Sequence, residues 1–156
     1  MERKKSVCAF VVIFCSYTFK VLLMSLNNFK MDLQKRIETI RKRVAENKAF
    51  NPNCFGVALY LAGFSDNLAS IRRIGAEAVL GEELTLPQPG CFVTFRSSKR
   101  YMELHHLGII LNGNPKEMAH YHSNTGLVLD ENIKAFQEKH YKGYMVKYYQ
   151  ANQQTS

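Results

Sequence analysis

Residues 53–64 read NCFGVALYLAGF, and the fold is most readily worked out from this segment. Asn53 is a good N-cap, because its side-chain oxygen can accept a hydrogen bond from an unpaired N–H group of a first helical turn. Cys54 then lies in that first turn, and Gly63 closes the helix as a C-terminal cap. The segment therefore predicts a short helix over 54–61 with a cysteine at its positive end.

The residues on the N-terminal side of this segment, and those just after it, predict two more helices. From 32 to 46, four aliphatic residues recur every three or four positions and form one apolar face: Leu33, Ile37, Ile40 and Val44. A third helix is predicted over 65–80, with Ser65-Asp66 as its cap. A loop is predicted to follow over 81–90, because it contains two prolines and ends in Pro-Gly.

After residue 90 the chain changes to segments rich in β-branched or aromatic residues, bounded by turn residues. Four of these segments predict strands: Cys91–Phe95, Glu103–Leu111, Glu117–His122 and Gly143–Tyr149. Asn112-Gly113 indicates a tight turn between the second and third strands, and Asp130–His140 predicts a helix before the last one. Helices therefore come first and a mainly antiparallel sheet follows, which is typical of an α+β domain.

The chain has 156 residues, enough for one domain with a sizeable core. We divide it into an apolar segment over 1–30, a folded domain over 31–150 and a tail over 151–156. The 21 Lys and Arg against 13 Asp and Glu give a net charge of +8, which favours an anionic polymer or a membrane surface as partner. The basic residues are dispersed and no recognised nucleic-acid motif lies among them, so no specific nucleic acid is expected.

The N-terminal segment has a basic start followed by an apolar run, Val7–Phe19, like the first two regions of a secretory signal. Lys20 interrupts the run, and no cleavage site of small residues follows. Three interpretations stay open: an uncleaved signal, a short membrane anchor, or a start codon assigned too early. Export or anchoring is favoured, and the protein is cytoplasmic if translation starts at Met24 or Met31.

The cysteines are the first candidates for chemistry, and there are four: Cys8, Cys15, Cys54 and Cys91. Their spacing matches neither a metal site nor a disulfide framework. Cys54 stands out because the N–H groups and dipole of a first helical turn stabilise a thiolate, above all beside a cation. The same N–H groups can hold an oxyanion. The ordinary alternative is a buried structural thiol.

A nucleophilic cysteine needs a base within hydrogen-bond reach, and five histidines are candidates: His105, His106, His120, His122 and His140. His105 and His106 point to opposite faces of a predicted strand, and parity does not decide which one faces the helix. His120 and His122 share a face, so one of them could orient the base while the other lines the cleft. They could also form a solvated surface or a metal pair, although no third ligand is obvious. His140 is expected at the surface.

Three blocks of this sequence resemble the signature of the NlpC-type cell-wall cysteine peptidases, a branch of the papain-like superfamily. The blocks are NCFGVALYLAGF at 53–64, PGCFVTF at 89–95 followed by HLGIIL at 106–111, and EMAH at 117–120. The resemblance covers roughly residues 50–130 and implies a papain-like, NlpC-type fold in which N-terminal helices pack on a mainly antiparallel sheet. The chain departs from the family at Asn53 and Phe55, where the family has Asp and Ser, and at Cys91, where it has Asp.

The resemblance makes Cys54 the nucleophile, His106 the base and His120 the orienting residue. Four further residues are then expected in the substrate or oxyanion region: Asn53, Phe55, His105 and His122. It implies a cysteine hydrolase that cleaves amide bonds of peptidoglycan stem peptides through an acyl-enzyme, with no cofactor and no metal. The alternatives are an acyltransferase or deamidase that uses the same Cys-His set, and a non-catalytic module that binds a polyanion.

Overall fold

The computed structural model describes residues 32–46, 52–99, 101–111 and 114–151. The apolar segment over 1–30 and the Asn112-Gly113 turn, both predicted from the sequence, lie outside these residues. Contacts divide the chain between Arg36 and Ile37, and every described strand belongs to the unit that starts at Ile37. In the described ranges, no helix has the length and apolar character needed to cross a membrane.

In the described chain three helices come first, five strands follow them, and a fourth helix precedes the last strand. The helices are α1 over 32–46, α2 over Cys54–Leu61, α3 over Arg73–Glu77 and α4 over Ile133–His140. The strands are β1 over Leu80–Leu84, β2 over Phe92–Arg96, β3 over Leu104–Ile109, β4 over Glu117–His122, β5 over Gly126–Asn132 and β6 over Met145–Ala151. The predicted α+β class is confirmed.

The strands form one antiparallel sheet in the order β1-β6-β2-β3-β4-β5. The last strand of the described chain, β6, therefore lies between β1 and β2. Helix α2 contacts β3 and β4, and α4 contacts β5. One core cluster contains residues of β2, β4 and α4 together with one residue next to β2 and one next to β3. Its members are Cys91, Val93, Phe95, Ile110, Met118, Ile133 and Phe136.

Helix α2 has the bounds and both of the caps that the sequence predicts. The Asn53 side chain accepts a hydrogen bond from the Gly56 N–H at 2.9 Å. At the other end Gly63 has a φ of +84°, and the Phe64 N–H donates to the Leu59 carbonyl at 3.0 Å. This is the Schellman arrangement, for which glycine is preferred because the positive φ strains a residue with a Cβ atom. Most of the helix is buried, as expected for a segment that is apolar all round.

The third helix predicted over 65–80 is wrong in most of its length, because only Arg73–Glu77 is helical. Ser65 does not cap this helix: its hydroxyl donates to the Asn67 carbonyl and accepts from the Asn67 N–H, which closes a local turn. Helix α3 is tied to the sheet instead by Glu77, whose carboxylate accepts two hydrogen bonds from the buried Arg96 guanidinium at 3.0 and 2.8 Å.

The sequence also missed β1 and β5, which are the two edges of the sheet. The loop predicted over 81–90 begins as β1, and the helix predicted from Asp130 begins only at Ile133, since 126–132 is strand. Asn132 is the actual N-cap of α4, because its side chain accepts from the Ala135 N–H at 2.9 Å. Both edge strands are only partly buried, so they lack the apolar pattern that marks a central strand.

Candidate active site

The start of α2 is fixed by side-chain hydrogen bonds to a distant segment of the chain. The Asn53 side-chain oxygen accepts from the Ile71 N–H at 3.1 Å as well as from Gly56, and its amide donates to the Ile71 carbonyl at 2.6 Å. Gly56 is needed here because a Cβ atom at this position would overlap the Ala69 carbonyl oxygen. The backbone over 69–71 therefore clamps the first turn that presents Cys54.

The sheet opens between β3 and β4 next to this helix end. The register of these two strands comprises Gly108 with His120 and Ile109 with Ala119, so the part of β3 before Gly108 has no partner on β4 among the described residues. The backbone N–H groups of Leu107, in this part of β3, and of Phe55 and Cys54 each lower the pKa of the Cys54 thiol. The sulfur therefore lies beside the backbone at residues 106 and 107 of β3.

The imidazole of His106 is hydrogen-bonded to that of His120, with 3.0 Å between His106 Nε2 and His120 Nδ1. The two side chains are only 3% and 1% exposed. The ring of Phe136 packs on both imidazoles, at centroid distances of 5.1 Å from His106 and 4.4 Å from His120. No described residue bonds to the buried Nε2 of His120. The pair is thus held rigidly by packing and by one hydrogen bond.

Cys54 and His106 line the same cavity, which has a volume of about 260 Å³. The other lining residues are Pro52, Asn53, His105, Tyr121, His122, Ser123 and Tyr141. Three of the four residues expected in the substrate or oxyanion region are in this set. The fourth, Phe55, takes part through its backbone N–H, and its side chain is not among the lining groups.

The two adjacent histidines of β3 have different surroundings, as the opposite faces of a strand require. His106 is buried, whereas His105 is exposed, packs its ring against Tyr144 at 5.1 Å between centroids and lies 3.8 Å from the Glu103 carboxylate. Glu103 is also paired with Arg73. His105 is therefore at the rim of the cavity, and its ring is oriented by neighbours on two sides.

The N–H groups at the start of α2 favour the Cys54 thiolate, but burial of the sulfur outweighs them. Burial raises the pKa of the Cys54 thiol, and the three backbone N–H groups lower it by less. Burial also lowers the pKa of His106 to about 3 and that of His120 to about 4, with further lowering by the neighbouring histidines. With their pKa lowered by burial, the imidazoles of His106 and His120 are neutral at neutral pH, and so is the Cys54 thiol, whose pKa is raised.

The hydrogen bond between the two imidazoles decides which nitrogen of His106 can act as a base. With Nε2 engaged by His120, the free nitrogen is Nδ1. For Nδ1 to accept a proton, Nε2 must carry hydrogen and donate it to His120 Nδ1, which assigns the tautomer of both rings. The remaining proton of His120 then lies on Nε2, beside the Phe136 ring.

The histidine pair at 120 and 122 does not act as a unit. His120 bonds to His106, while the His122 ring packs against His140, with 5.1 Å between centroids. His140 is exposed, as predicted. Across the described ranges, no group of three or more His, Cys, Asp or Glu side chains is arranged to hold a metal ion.

Four cavity residues were not predicted from the sequence: Pro52, Tyr121, Ser123 and Tyr141. Tyr141 follows the last residue of α4 and precedes a turn in which Gly143 has a φ of +82°. The sequence showed the end of the helix and the turn glycine. It did not show that the end of α4 lies at the same cavity as the start of α2.

Comparisons of this chain with protein-family models, with curated proteins and with solved structures each gave no match.

Proposed function

We propose that this protein is a cysteine hydrolase of papain-like, NlpC-type fold that cleaves amide bonds through an acyl-enzyme on Cys54. One observation supports this above all others: a thiol at a capped helix start shares a cavity with an imidazole that a second imidazole orients. Covalent acyl transfer requires a nucleophile, a base and a group that orients the base. Here base and orienting group are 3.0 Å apart, and nucleophile and base line one cavity.

In the proposed reaction, the Cys54 proton passes to Nδ1 of His106 as the sulfur attacks the substrate carbonyl. The C–N bond of the amide then breaks, and the leaving amine takes the proton from His106. Water, deprotonated by Nδ1 of the same imidazole, then attacks the thioester carbonyl. The C–S bond breaks, the acid leaves, and His106 returns the proton to the Cys54 sulfur. His120 keeps the ring in place and accepts the Nε2–H bond throughout. In this proposal the backbone N–H groups at the start of α2 hold the oxyanion.

For the substrate, we propose peptidoglycan stem peptides. The order of cysteine, histidine and second histidine in this sequence supports this choice through the resemblance to the cell-wall peptidases. The net charge of +8 also favours a polymer that carries carboxylates. No cofactor takes part in the proposed reaction.

The activated nucleophile is tested by alkylation with sub-stoichiometric iodoacetamide at pH 6, followed by peptide mass spectrometry. We expect Cys54 to be labelled before Cys91, which is 2% exposed, and His106→Ala to slow labelling of Cys54 at least about tenfold through loss of the base. Because exposure alone could favour Cys54, the histidine variant is decisive. Unchanged labelling of Cys54 in His106→Ala would show that its thiol is not activated.

The substrate is tested by incubating purified peptidoglycan with the protein and with its Cys54→Ala variant. We expect new muropeptides with the first and none with the second, and Cys91→Ala serves as the matched control that keeps activity. Identical digests from the protein and from Cys54→Ala would exclude hydrolysis of this polymer. An amine acceptor added to the reaction distinguishes a transferase, because the acyl group then appears on the amine.

A further inference from the structure

Tyr141 is held at the cavity by a fully hydrogen-bonded turn. Its N–H donates to the Gln137 carbonyl at 2.8 Å, and its own carbonyl accepts from the Tyr144 N–H at 2.9 Å. The Gln137 side chain closes the same turn by donating to the Tyr144 carbonyl at 2.6 Å. Gly143 makes this tight return possible through its positive φ. The backbone at Tyr141 is therefore fixed before any substrate binds.

Aromatic rings fix the side chain of Tyr141 equally firmly. Its ring lies 5.2 Å from Phe95, 5.6 Å from Phe136 and 5.2 Å from Tyr144, measured between centroids. The His106 imidazole is a fourth neighbour, at 5.5 Å. The phenol therefore stands beside the proposed base and lines the cavity that contains Cys54.

The electrostatics of this phenol make it a permanent donor. Burial raises the pKa of Tyr141 to about 12, and negative charge on Cys54 and on Tyr144 contributes to the rise. The hydroxyl therefore keeps its proton at neutral pH. Tyr141 and Cys54 line the same cavity.

The site has a need for such a donor. Both neighbouring imidazoles are neutral, and burial of Cys54 disfavours its anion more than the backbone N–H groups favour it. A hydrogen bond from a neutral donor to a buried anion contributes more than a bond between neutral groups, because one partner carries a full charge. The Tyr141 hydroxyl is a neutral donor in the same cavity as Cys54, so it adds no second charge to the site.

We propose that Tyr141 is a further catalytic residue, whose hydroxyl donates a hydrogen bond to the Cys54 sulfur as the thiolate forms. The thiol proton moves to Nδ1 of His106 and the phenol proton stays on oxygen, so that no other group is oxidised, reduced or deprotonated. This inference rests on the proposed function, since it assigns a role in activating the same nucleophile.

The test is Tyr141→Phe, which removes the hydroxyl and keeps the ring packing. Tyr144→Phe is the matched control, because it removes a neighbouring hydroxyl that does not line the cavity. The rate of Cys54 alkylation by iodoacetamide is measured from pH 5 to pH 10 for both variants and for the unchanged protein. We expect Tyr141→Phe to slow alkylation at pH 7 about tenfold or more. The pH at which the alkylation rate rises toward its alkaline maximum should shift upward by about one unit. Tyr144→Phe should leave both unchanged.

Thermal unfolding separates a chemical role from a structural one. Tyr141→Phe should slow alkylation while its melting temperature stays within about 3 °C of that of Tyr144→Phe. If Tyr141→Phe and Tyr144→Phe are alkylated at the same rate, whether or not both are slowed, the role of Tyr141 is overturned. If His106→Ala also leaves the rate unchanged, the proposed function fails. If His106→Ala slows alkylation and Tyr141→Phe does not, only the role of Tyr141 fails.

Discussion

Lowering the pH from 7 to 5 should destabilise the fold chiefly through His106 and His120. Burial lowers the pKa of His106 to about 3 and that of His120 to about 4, whereas an unfolded histidine has a pKa of about 6.5. Between pH 7 and pH 5 the unfolded chain therefore takes up protons at both positions and the folded chain does not. Stability from this source is complete above about pH 6.5 and is lost as the pH falls toward 4.

Proton linkage gives the size of this loss. Each histidine contributes about 2 kcal/mol between pH 7 and pH 5, and the pair contributes about 4 kcal/mol. A domain of this size is typically stable by about 5–15 kcal/mol, so the predicted loss is a large share of the total.

The free energy of unfolding is measured by urea titration, followed by circular dichroism, at pH 7, 6 and 5. His120→Gln should remove about half of the difference between pH 7 and pH 5, because one of the two buried imidazoles is gone. His122→Gln is the matched control, since this residue lies two positions further along β4 and is partly exposed. A loss below about 1 kcal/mol in the unchanged protein would refute the neutral buried pair. An equal effect of the two variants would refute it as well.

Two further predictions concern the clamp at the start of α2. Gly56→Ala should lower the free energy of unfolding by about 3 kcal/mol or more, because the new methyl group must displace the Ala69 carbonyl. Gly63→Ala should lower the free energy of unfolding by only about 1–2 kcal/mol, because the added atom meets open space and only the positive φ is strained. Urea unfolding of both variants checks this ranking, and a larger loss for Gly63→Ala would contradict it. Asn53→Asp should cost about 1–3 kcal/mol although aspartate is a good N-cap, since a carboxylate cannot donate to the Ile71 carbonyl. An unchanged or raised urea midpoint for Asn53→Asp would show that this bond does not matter.

Local signals made α2 and its caps predictable. Asn53 and Gly63 act through hydrogen bonds to residues within the same helix, so the sequence around them contains the whole cause. The contacts of Asn53 with Ile71 are different, because they join positions 18 residues apart through a segment with no regular structure. Nothing in the neighbouring sequence indicates such a contact.

Strands at the sheet edges could not be predicted for a related reason. A central strand such as β2 is buried on both faces and has a continuous apolar sequence, FVTF, that is visible at once. Strand β1 has the sequence LGEEL, and its place in the sheet comes from pairing with β6, about 65 residues later. The periodicity of a five-residue segment does not contain that information.

For the candidate site, the sequence indicated which residue types could take part, and the structure shows which of them line one cavity. Spacing alone left His105 and His106 equivalent, and the choice of His106 came from the resemblance. In the structure His106 is the buried member of the pair and bonds to His120. Tyr141 reaches the cavity only because α4 ends beside the opening in the sheet, which no local pattern predicts.

The position of β6 has a consequence for how the protein is made. Because this strand fills the gap between β1 and β2, the sheet is incomplete on the ribosome until residues 145–151 have emerged. Until then β1 has no partner strand, and β2 presents one unpaired edge to the surroundings of the nascent chain. The complete sheet can therefore form only once β6 is present, and loss of this strand would remove two of the sheet's pairings at once.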